Sequence, residues 1–415
     1  MKYLYSFVVF LVGKLLVIPA IFDRKIDLFV KGRKETFPIL SHAIKPGDKT
    51  IWMHCASLGE FEQGRPILEA LSVSEPGYKL ILSFYSPSGY EIRKDFKYAH
   101  AVVYLPLDLR SNAEKFVDVV QPALAIFVKY EFWPNFLEVL GRRSIRTILV
   151  SGIFRKDQVF FKPHGSWMRR SLNTFTHFFV QNKNSQMLLA DIGIKNVTVS
   201  GDTRFDRVAK ITRQDNTLDF LSEFVKDKIV IVAGSTWPED ELLLVNFING
   251  NNDPRLRFII APHNIDQKEI QKLKGNLKCK TTLYSENLPL EDSVVFIADT
   301  VGLLTRIYSY ADIAYVGGGF GKEGVHNVLE PAVFGIPLVI GPIYDKFEEA
   351  VKLVELGSCL VAANEQQFSE HLIQLTMKQS YREGLGKISK SYIDSQLGAT
   401  QIILKYIQQL LADIS

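Results

Sequence analysis

The sequence has 415 residues, 47% hydrophobic and 23% charged, which is typical of folded globular proteins and excludes a disordered chain. The 49 Lys and Arg residues against 45 Asp and Glu give a net charge of +4, too small to indicate a nucleic-acid-binding protein. Cys55, Cys279 and Cys359 lie far apart, so the sequence indicates neither a zinc site nor a disulfide framework. A chain of this length is expected to form about two or three domains.

The first predicted element is an apolar segment, residues 3–22, which carries a single charge, Lys14, and is long enough to cross a bilayer. Five cations follow within residues 24–34. A signal peptide is one interpretation, although no small-residue cleavage site follows. A buried helix of a soluble protein is another, because Lys14 and Pro19 interrupt the run. We predict the third, a membrane anchor with the remaining chain on the cytoplasmic side, which adjacent positive charge favours.

After residue 45, short apolar runs rich in β-branched residues alternate with helical patterns. This alternation predicts βαβ units, and continuous apolar runs are expected of strands buried on both faces of a parallel sheet. We therefore predict an α/β fold of two doubly wound parallel-sheet domains facing a cleft, with ligand sites just after the strands. The predicted strands are 50–57, 79–85, 101–107, 123–129, 146–152, 177–181, 197–201, 229–235, 257–263, 294–298, 313–317, 337–341 and 359–361. The predicted boundaries are an anchor at 1–22, an N-terminal domain at 23–206, a linker at 207–228, a C-terminal domain at 229–395 and a C-terminal helix at 396–415.

Two carboxylates follow predicted strands of the N-terminal domain. Glu60 ends the run HCASLGE, where it could remove a proton from a substrate hydroxyl. The spacing Ser57-x-x-Glu60 equally fits a helix capping box. Glu131 lies among aromatic residues in KYEFWPN, where it could act at a sugar-binding site or only pair with Lys129 or Arg143.

Further residues are candidates for binding an anion. Arg204, in SGDTRFD, has the fork geometry that suits a phosphate or carboxylate, but it could also pair with Asp202 or Asp206 on the surface. Ser235 and Thr236 end a strand and precede a helix, so they could donate to a phosphate or merely cap that helix.

A glycine-rich run, GGGFGKEGVHNVLEPA from residue 317 to 332, follows a predicted strand. Such loops let backbone N–H groups approach an anion, and Gly318 and Gly319 are the candidate phosphate contacts; a purely structural loop is the alternative. A helix is predicted to begin near Asn327, and Glu330, one turn into it, could accept both ribose hydroxyls of a nucleotide. His263, which ends the strand FIIAPH, could contact the ligand or cap a helix. No Walker, HExxH, GxSxG, CxxC or DxD motif is present, so neither a metal ion nor another cofactor is expected.

The motifs ASLGE, YEFWPN, VSGDTRFD and GGGFGKEGVHNVLEPA occur in this order, and with them nearly the whole chain resembles the 3-deoxy-D-manno-octulosonic acid (Kdo) transferases of lipopolysaccharide synthesis. The resemblance implies a glycosyltransferase-B fold, a CMP-Kdo donor and a lipid A precursor of the lipid IVA type as acceptor. It also implies attachment to the cytoplasmic face of the inner membrane. The mechanism expected is an inverting transfer of Kdo without a metal ion.

The resemblance also implies roles for individual residues. Glu60 matches the family's proton acceptor, and Glu131 and Arg204 match positions of transition-state stabilisation. Arg204 stands where Lys is usual, and His263 follows Pro262 where Arg is familiar, so one phosphate contact is expected to be missing or supplied elsewhere. The residues that match CMP-binding stretches are Pro262, His263, Val301, Gly302, Leu303, Asn327, Val328, Leu329 and Glu330.

Two alternatives stay open at this point. A different nucleotide-sugar transferase or an epimerase of the same fold would keep the glycine-rich loop but not the Glu60 loop. An inactive, membrane-tethered binding protein would use the same cleft without turnover. Fold alone does not separate them.

Overall fold

The computed structural model describes residues 2–16 and 18–413, so residues 1, 17, 414 and 415 of the predicted anchor and C-terminal helix lie outside the described residues. The chain divides into two units, residues 1–207 together with 398–415, and residues 208–397. We call them unit 1 and unit 2. The domain boundaries given above remain a prediction.

Unit 1 contains a seven-stranded parallel sheet in the order β3-β2-β1-β4-β5-β6-β7. Its strands are β1 Lys49–Cys55, β2 Tyr78–Phe84, β3 Ala101–Tyr104, β4 Pro122–Val128, β5 Arg146–Gly152, β6 His177–Val180 and β7 Val197–Val199. Its helices are α1 Lys2–Leu15, α2 Arg24–Gly32, α3 Thr36–Ala43, α4 Leu58–Ser74, α5 Pro87–Arg93, α6 Arg110–Val120, α7 Pro134–Arg142, α8 Ser166–Leu172 and α9 Lys183–Asp191. Helix α10, Thr203–Ile211, begins in unit 1 and ends in unit 2.

The interior strand β1 shows why the strands of unit 1 are continuously apolar. Trp52 faces one layer of helices and packs its ring on Phe116 and Phe127, with ring centroids 4.9 and 5.2 Å away. Its neighbours Ile51 and Met53 face the opposite layer and belong to a second buried cluster. Both faces of the sheet are therefore covered, as expected for parallel sheets.

Unit 2 contains a second seven-stranded parallel sheet in the order β10-β11-β9-β8-β12-β13-β14. Its strands are β8 Ile229–Thr236, β9 Leu256–Pro262, β10 Thr281–Leu283, β11 Val295–Ile297, β12 Ile313–Val316, β13 Leu338–Ile340 and β14 Cys359–Val361. Its helices are α11 Ser222–Val225, α12 Pro238–Gly250, α13 Gln267–Asn276, α14 Leu304–Ile307, α15 Leu329–Ala332, α16 Glu348–Glu355, α17 Glu365–Met377 and α18 Gln379–Ser395; the last helix of the chain, α19 Ala399–Ala412, belongs to unit 1.

The apolar N-terminal segment forms α1 and, after a turn, a short 3-10 helix, Pro19–Ile21. One side of α1 rests on unit 1, where the Tyr5 hydroxyl donates to Asp108 at 2.9 Å. The rest is uncovered, and Tyr3 and Phe7 are 87% and 60% exposed. By length and composition, the segment Tyr3–Ile21 is the one candidate membrane span among the described residues, a test that signal sequences and core helices also pass. The exposure disfavours a buried helix of a soluble protein.

The structure contains all thirteen predicted strands with ends shifted by up to three residues, and one more, β10. Strand β10 is three residues long, Thr281–Leu283, and pairs only with β11. So short an edge strand carries too few apolar residues to produce a recognisable pattern. The predicted α/β architecture of two parallel sheets is confirmed.

Candidate active site

Glu60 lies in the first turn of α4, directly after β1. The backbone N–H of Ser57 donates to Glu60 Oε2 at 2.7 Å, and the Ser57 hydroxyl donates to the same oxygen. The capping box considered from the sequence is thus present. Both bonds use Oε2, and no side chain or backbone group of the described residues bonds to Oε1. The cap holds the carboxylate in place and leaves one oxygen available to a ligand.

Glu131 is 7% exposed, and two ring nitrogens contact a single oxygen of its carboxylate. Trp133 Nε1 donates to Glu131 Oε2 at 2.6 Å, and His54 Nε2 lies 3.0 Å from the same atom. Of the two cations considered from the sequence, Arg143 instead forms an ion pair with Asp118 at 2.6 Å. The carboxylate is therefore held by an imidazole and an indole.

Arg204 is held by its neighbour Asp202, as the surface-pair alternative expected. Its Nε and Nη2 atoms lie 2.9 and 2.8 Å from Asp202 Oδ2. Asp202 is itself only 6% exposed, so the guanidinium is fixed at one edge and reaches solvent with 28% of its side chain. The other carboxylate considered, that of Asp206, accepts the backbone N–H groups of Gly398 and Thr400. A partly exposed cation oriented by a buried carboxylate can still meet an anionic ligand.

The structure brings these three side chains to one edge of the unit 1 sheet. Glu60 follows β1, and Glu131 follows β4, the neighbour of β1. Burial raises the pKa of the Cys55 thiol well above its usual value, and the nearby charges of Glu60 and Glu131 add to that shift. Arg204 follows the edge strand β7, but its loop reaches α4. That contact runs through two bonds, from the Thr203 hydroxyl to the Gln63 carbonyl at 2.5 Å and from the Gln63 amide to Asp202 at 3.3 Å.

In unit 2, the residues singled out from the sequence follow the four adjacent strands β11, β9, β8 and β12. Rings from three of these loops stack: His263 lies 4.8 Å from Trp237 and 4.4 Å from His326 between ring centroids. Trp237 Nε1 donates to His326 Nε2 at 2.7 Å. Burial, and then the nearby His263, lower the pKa of His326 to about 4. Burial also lowers the pKa of His263, so this stack is uncharged near pH 7 and does not replace the cation expected from Arg.

The stretch around Glu330 forms a polar cluster in unit 2. Asn327 Nδ2 donates to Glu330 Oε1 and the Thr305 hydroxyl donates to Oε2, both at 3.0 Å. Val328 and Leu329 are fully buried, backbone included, so the structure does not expose either residue to a nucleotide. Among the nearby loop residues Val301, Gly302 and Leu303, Val301 is 87% exposed, and Gly302 has a positive φ of 97°.

The glycine-rich loop is tightly packed within unit 2. The Gly318 N–H donates to Asp240 Oδ2 at 2.8 Å, so this donor is already used. A Cβ on Gly319 would lie 2.7 Å from the backbone of Gly341, and Gly318 has a φ of 93°. These contacts favour the structural alternative for the loop.

The strand end at Ser235 and Thr236 is also occupied by internal contacts. The Thr236 hydroxyl donates to Glu241 at 3.1 Å, and Ser235 adopts a φ of 53° at an irregularity between β8 and β9. A cavity of about 320 Å³ next to Thr236 is lined by carboxylates that include Glu241 and Glu269. Burial raises the pKa of Glu241 to about 7. A carboxylate-lined wall does not suit a phosphate, so the favoured role of Ser235 and Thr236 is structural.

Sequence reasoning assigned no role to three residues that organise these sites, His54, Trp133 and Asp240. His54 is a polar residue within an apolar strand, which is the one signal that could have identified it. Asp240 accepts the N–H of its near neighbour Trp237 at 2.9 Å and also the N–H of Gly318, which lies 78 positions away in the chain. Only the fold reveals such a contact.

Comparisons with known proteins bear on the activity. Residues 31–207 match the family model described as 3-deoxy-D-manno-octulosonic-acid transferase (kdotransferase). The 3-deoxy-D-manno-octulosonic acid transferase of Haemophilus influenzae is 27% identical over 398 residues, which covers 91% of each chain. These two findings confirm the resemblance seen in the sequence motifs.

Solved structures show the fold. UDP-GlcNAc 2-epimerase from Neisseria meningitidis superposes with a TM-score of 0.59 at 14% identity, covering 87% of this chain and all (100%) of the other. CalG4, the calicheamicin glycosyltransferase, gives a TM-score of 0.56 at 12% identity over 89% of this chain and 100% of the other. The predicted glycosyltransferase-B fold is confirmed, and it is shared by transferases and an epimerase alike.

Proposed function

Because this chain is a glycosyltransferase of the Kdo transferase family, we propose that it transfers Kdo from CMP-Kdo to a lipid A precursor of the lipid IVA type, with inversion at the anomeric carbon. The observation that carries this proposal is the position of Glu60, whose Oε2 is fixed by Ser57 while Oε1 has no partner among the described residues. A general base needs such a fixed carboxylate with one accessible oxygen.

In the proposed reaction, Glu60 Oε1 removes the proton from an acceptor hydroxyl. The acceptor oxygen forms a bond to the anomeric carbon of Kdo while the bond from that carbon to the CMP phosphate breaks. Positive charge develops on the sugar ring and negative charge on the departing phosphate. Glu131 is the carboxylate placed to stabilise the first of these charges.

Arg204 is the cation proposed to stabilise the second. Its guanidinium is oriented by Asp202, so no side-chain ordering is needed when the phosphate departs. This role matters because the His263 and His326 stack is uncharged near pH 7.

We propose that unit 2 binds the CMP part of the donor. Glu330 would accept the ribose hydroxyls, with Asn327 and Thr305 orienting its carboxylate. Pro262, His263 and the loop 301–303 end at the same edge of the sheet and complete the proposed nucleotide site. Because the N–H of Gly318 is bonded to Asp240, we assign the glycine-rich loop to shaping this edge rather than to holding the phosphate.

Support for a lipid acceptor at the cytoplasmic face of the inner membrane comes from unit 1. A cavity of about 250 Å³ has an apolar wall that includes Leu16 and Phe29, and it also contains Arg33 and Lys34. The guanidinium of Arg33 stacks 3.5 Å from the centre of the Phe29 ring. Burial lowers the pKa of the Arg33 guanidinium to about 10, so Arg33 stays charged at neutral pH. Apolar walls beside two cations suit an acylated, phosphorylated molecule, and the exposed helix α1 lies at the same place.

The test is to incubate purified protein in detergent with CMP-Kdo and a tetraacylated lipid A precursor, and to follow the lipid by mass spectrometry. We expect addition of Kdo, and we expect it to persist in excess EDTA, since the leaving group carries a single phosphate. Binding of CMP without any transfer would indicate an inactive binding protein. Turnover of UDP-GlcNAc instead of CMP-Kdo would favour an epimerase.

A truncation tests the membrane proposal. Removing residues 1–22 should release the protein from membranes at moderate salt and leave both sheets folded, because the segment supplies no strand. Circular dichroism and membrane flotation measure the two effects. An unfolded truncation product would instead show that the segment is a core helix.

A further inference from the structure

One buried titratable side chain beside the proposed active site has no role in the mechanism above. His54 lies on β1, is 0% exposed and is surrounded by aromatic rings, with the centroid of Phe127 at 5.9 Å and that of Trp133 at 6.1 Å. An imidazole removed from water in this way needs a hydrogen-bond partner for each nitrogen.

The donors around His54 can be ordered because indole nitrogens only donate. Trp52 Nε1 donates to Ser83 Oγ at 2.7 Å, which leaves the Ser83 hydroxyl proton available for another acceptor. Ser83 Oγ lies 2.8 Å from His54 Nδ1, and the Ser83 carbonyl is further away, at 3.2 Å. The shorter contact is satisfied when the Ser83 hydroxyl donates to His54 Nδ1.

On the other side of the ring, His54 Nε2 lies 3.0 Å from Glu131 Oε2. A lone pair at Nε2 would face a carboxylate oxygen and be repelled by it. The Trp133 N–H does not relieve this repulsion, because it lies 2.6 Å from Glu131 Oε2 and 3.1 Å from His54 Nε2 and so favours the carboxylate. The proton of the imidazole therefore belongs on Nε2, from where it is donated to Glu131.

We propose that His54 is a positioning residue, which donates its Nε2–H to Glu131 Oε2 and so fixes the carboxylate with Oε1 turned to the reacting sugar. The inference rests on the proposed function. Trp133 lies on the same loop as Glu131 and moves with it. His54 instead lies on β1, which is paired with β2 and β4 along its length. It is the contact through which the loop carboxylate is held to the rigid sheet.

Two polar substitutions separate this role from simple packing. In His54→Gln the longer side chain places an amide N–H near the position of Nε2, whereas in His54→Asn the shorter amide can meet Ser83 but not Glu131. We expect His54→Asn to lower kcat by about a hundredfold, the scale of a misplacement of about 1 Å, with the KM for CMP-Kdo changed less than about threefold. The kcat of His54→Gln should be at least about tenfold higher than that of His54→Asn.

Thr50→Val is the matched control, because Thr50 is equally buried on β1 but bonds only to the Val120 carbonyl, at 2.7 Å. It should lower the Tm without lowering kcat. If the two His54 variants lose the same activity, or if Thr50→Val loses as much as His54→Asn, the positioning role is refuted.

A second measurement does not depend on activity. In protein labelled with ¹⁵N-histidine, one of the eight histidine signals should disappear in His54→Gln, and that signal should show a proton on Nε2 and none on Nδ1. Glu131→Gln should shift it. A proton on Nδ1 alone would overturn the inference. Wild-type protein with the expected signal but without Kdo transfer would contradict the proposed function and leave the hydrogen bond established.

Discussion

The strand ends of the two units differ in how their polar groups are used. In unit 1, Glu60 and Glu131 each accept two hydrogen bonds on one oxygen, and no group of the described residues bonds to the other. In unit 2, the Gly318 N–H is taken by Asp240 and the Thr236 hydroxyl by Glu241. Unit 1 presents carboxylates that are fixed through one oxygen and have no hydrogen bond from the described residues to the other. In unit 2, the hydrogen-bonding groups of the loops are already bonded to other groups of the same unit.

The difference teaches that the most conspicuous motif of a sequence need not supply the ligand contacts. Three of the four glycines within residues 317–321, namely Gly317, Gly318 and Gly319, are required by close packing or a positive φ as much as by any ligand. The single carboxylate of Glu60 could be taken for a helix cap, and it is one, yet its other oxygen is the one we propose as the general base. Capping and catalysis are therefore not exclusive alternatives.

The largest effect is expected from Glu60→Gln. Glutamine can still complete a capping box, so α4 should form, while the base is lost. We expect kcat to fall by about 10²–10⁴-fold with CMP binding retained, measured by Kdo transfer and by calorimetric titration of CMP. Near-normal turnover would reduce Glu60 to a cap and remove the contrast between the units.

Glu330→Ala tests whether unit 2 still binds the donor despite its self-satisfied loops. Losing a charged hydrogen bond to ribose should cost about 1.5–3 kcal/mol, which raises the KM for CMP-Kdo and leaves that for the lipid acceptor unchanged. Steady-state kinetics with each substrate varied measure this. Thr305→Val, which removes one partner of Glu330 but not the carboxylate, should have a smaller effect. Equal changes in both KM values would mean that Glu330 is structural.

Gly319→Ala tests the structural role of the glycine-rich loop. The added Cβ would meet the backbone of Gly341 at 2.7 Å, and backbone cannot move aside as a side chain can. We expect a loss of about 1–3 kcal/mol in the free energy of unfolding, measured by chemical denaturation. Gly321→Ala is the control in the same loop, because its nearest contact would be an ordinary 3.6 Å. If the Gly319→Ala protein is stable but binds CMP more weakly, the glycine-rich loop contacts the ligand and its role is not only structural.

The smallest effect concerns pH. Burial raises the pKa of Glu241 to about 7 from its usual 4.5, so the folded state binds this proton more tightly than the unfolded state. The stabilisation is fully present below pH 4.5 and is lost as pH rises through 7. The difference in Tm between Glu241→Gln and the wild type should therefore be more favourable to the variant at pH 8 than at pH 5. Glu239→Gln, at an exposed position of the same turn, should show no such trend, and a parallel trend there would refute burial as the cause.

The sequence predicted the architecture well because buried parallel strands produce continuous apolar runs. It missed β10, which is too short to produce one. For the site, position after a strand was enough to select Glu60, Glu131 and Arg204. It could not reveal that Asp202 orients Arg204 or that His54 holds Glu131, since the latter contact joins residues 77 positions apart. Long-range hydrogen bonds leave no periodic signal in a sequence.

The return of the last helix to unit 1 affects how the protein is made. Helix α19 buries Ile403 and Ile407 among the core residues of unit 1, and Asp206 binds the two N–H groups at residues 398 and 400. During synthesis, unit 1 therefore lacks part of its interior until residues 399–412 have been added. Unit 2 emerges as one uninterrupted stretch and can fold first. A stop codon that removed Ile403 and Ile407 would consequently damage unit 1, whose other residues come early in the sequence, rather than the neighbouring unit 2.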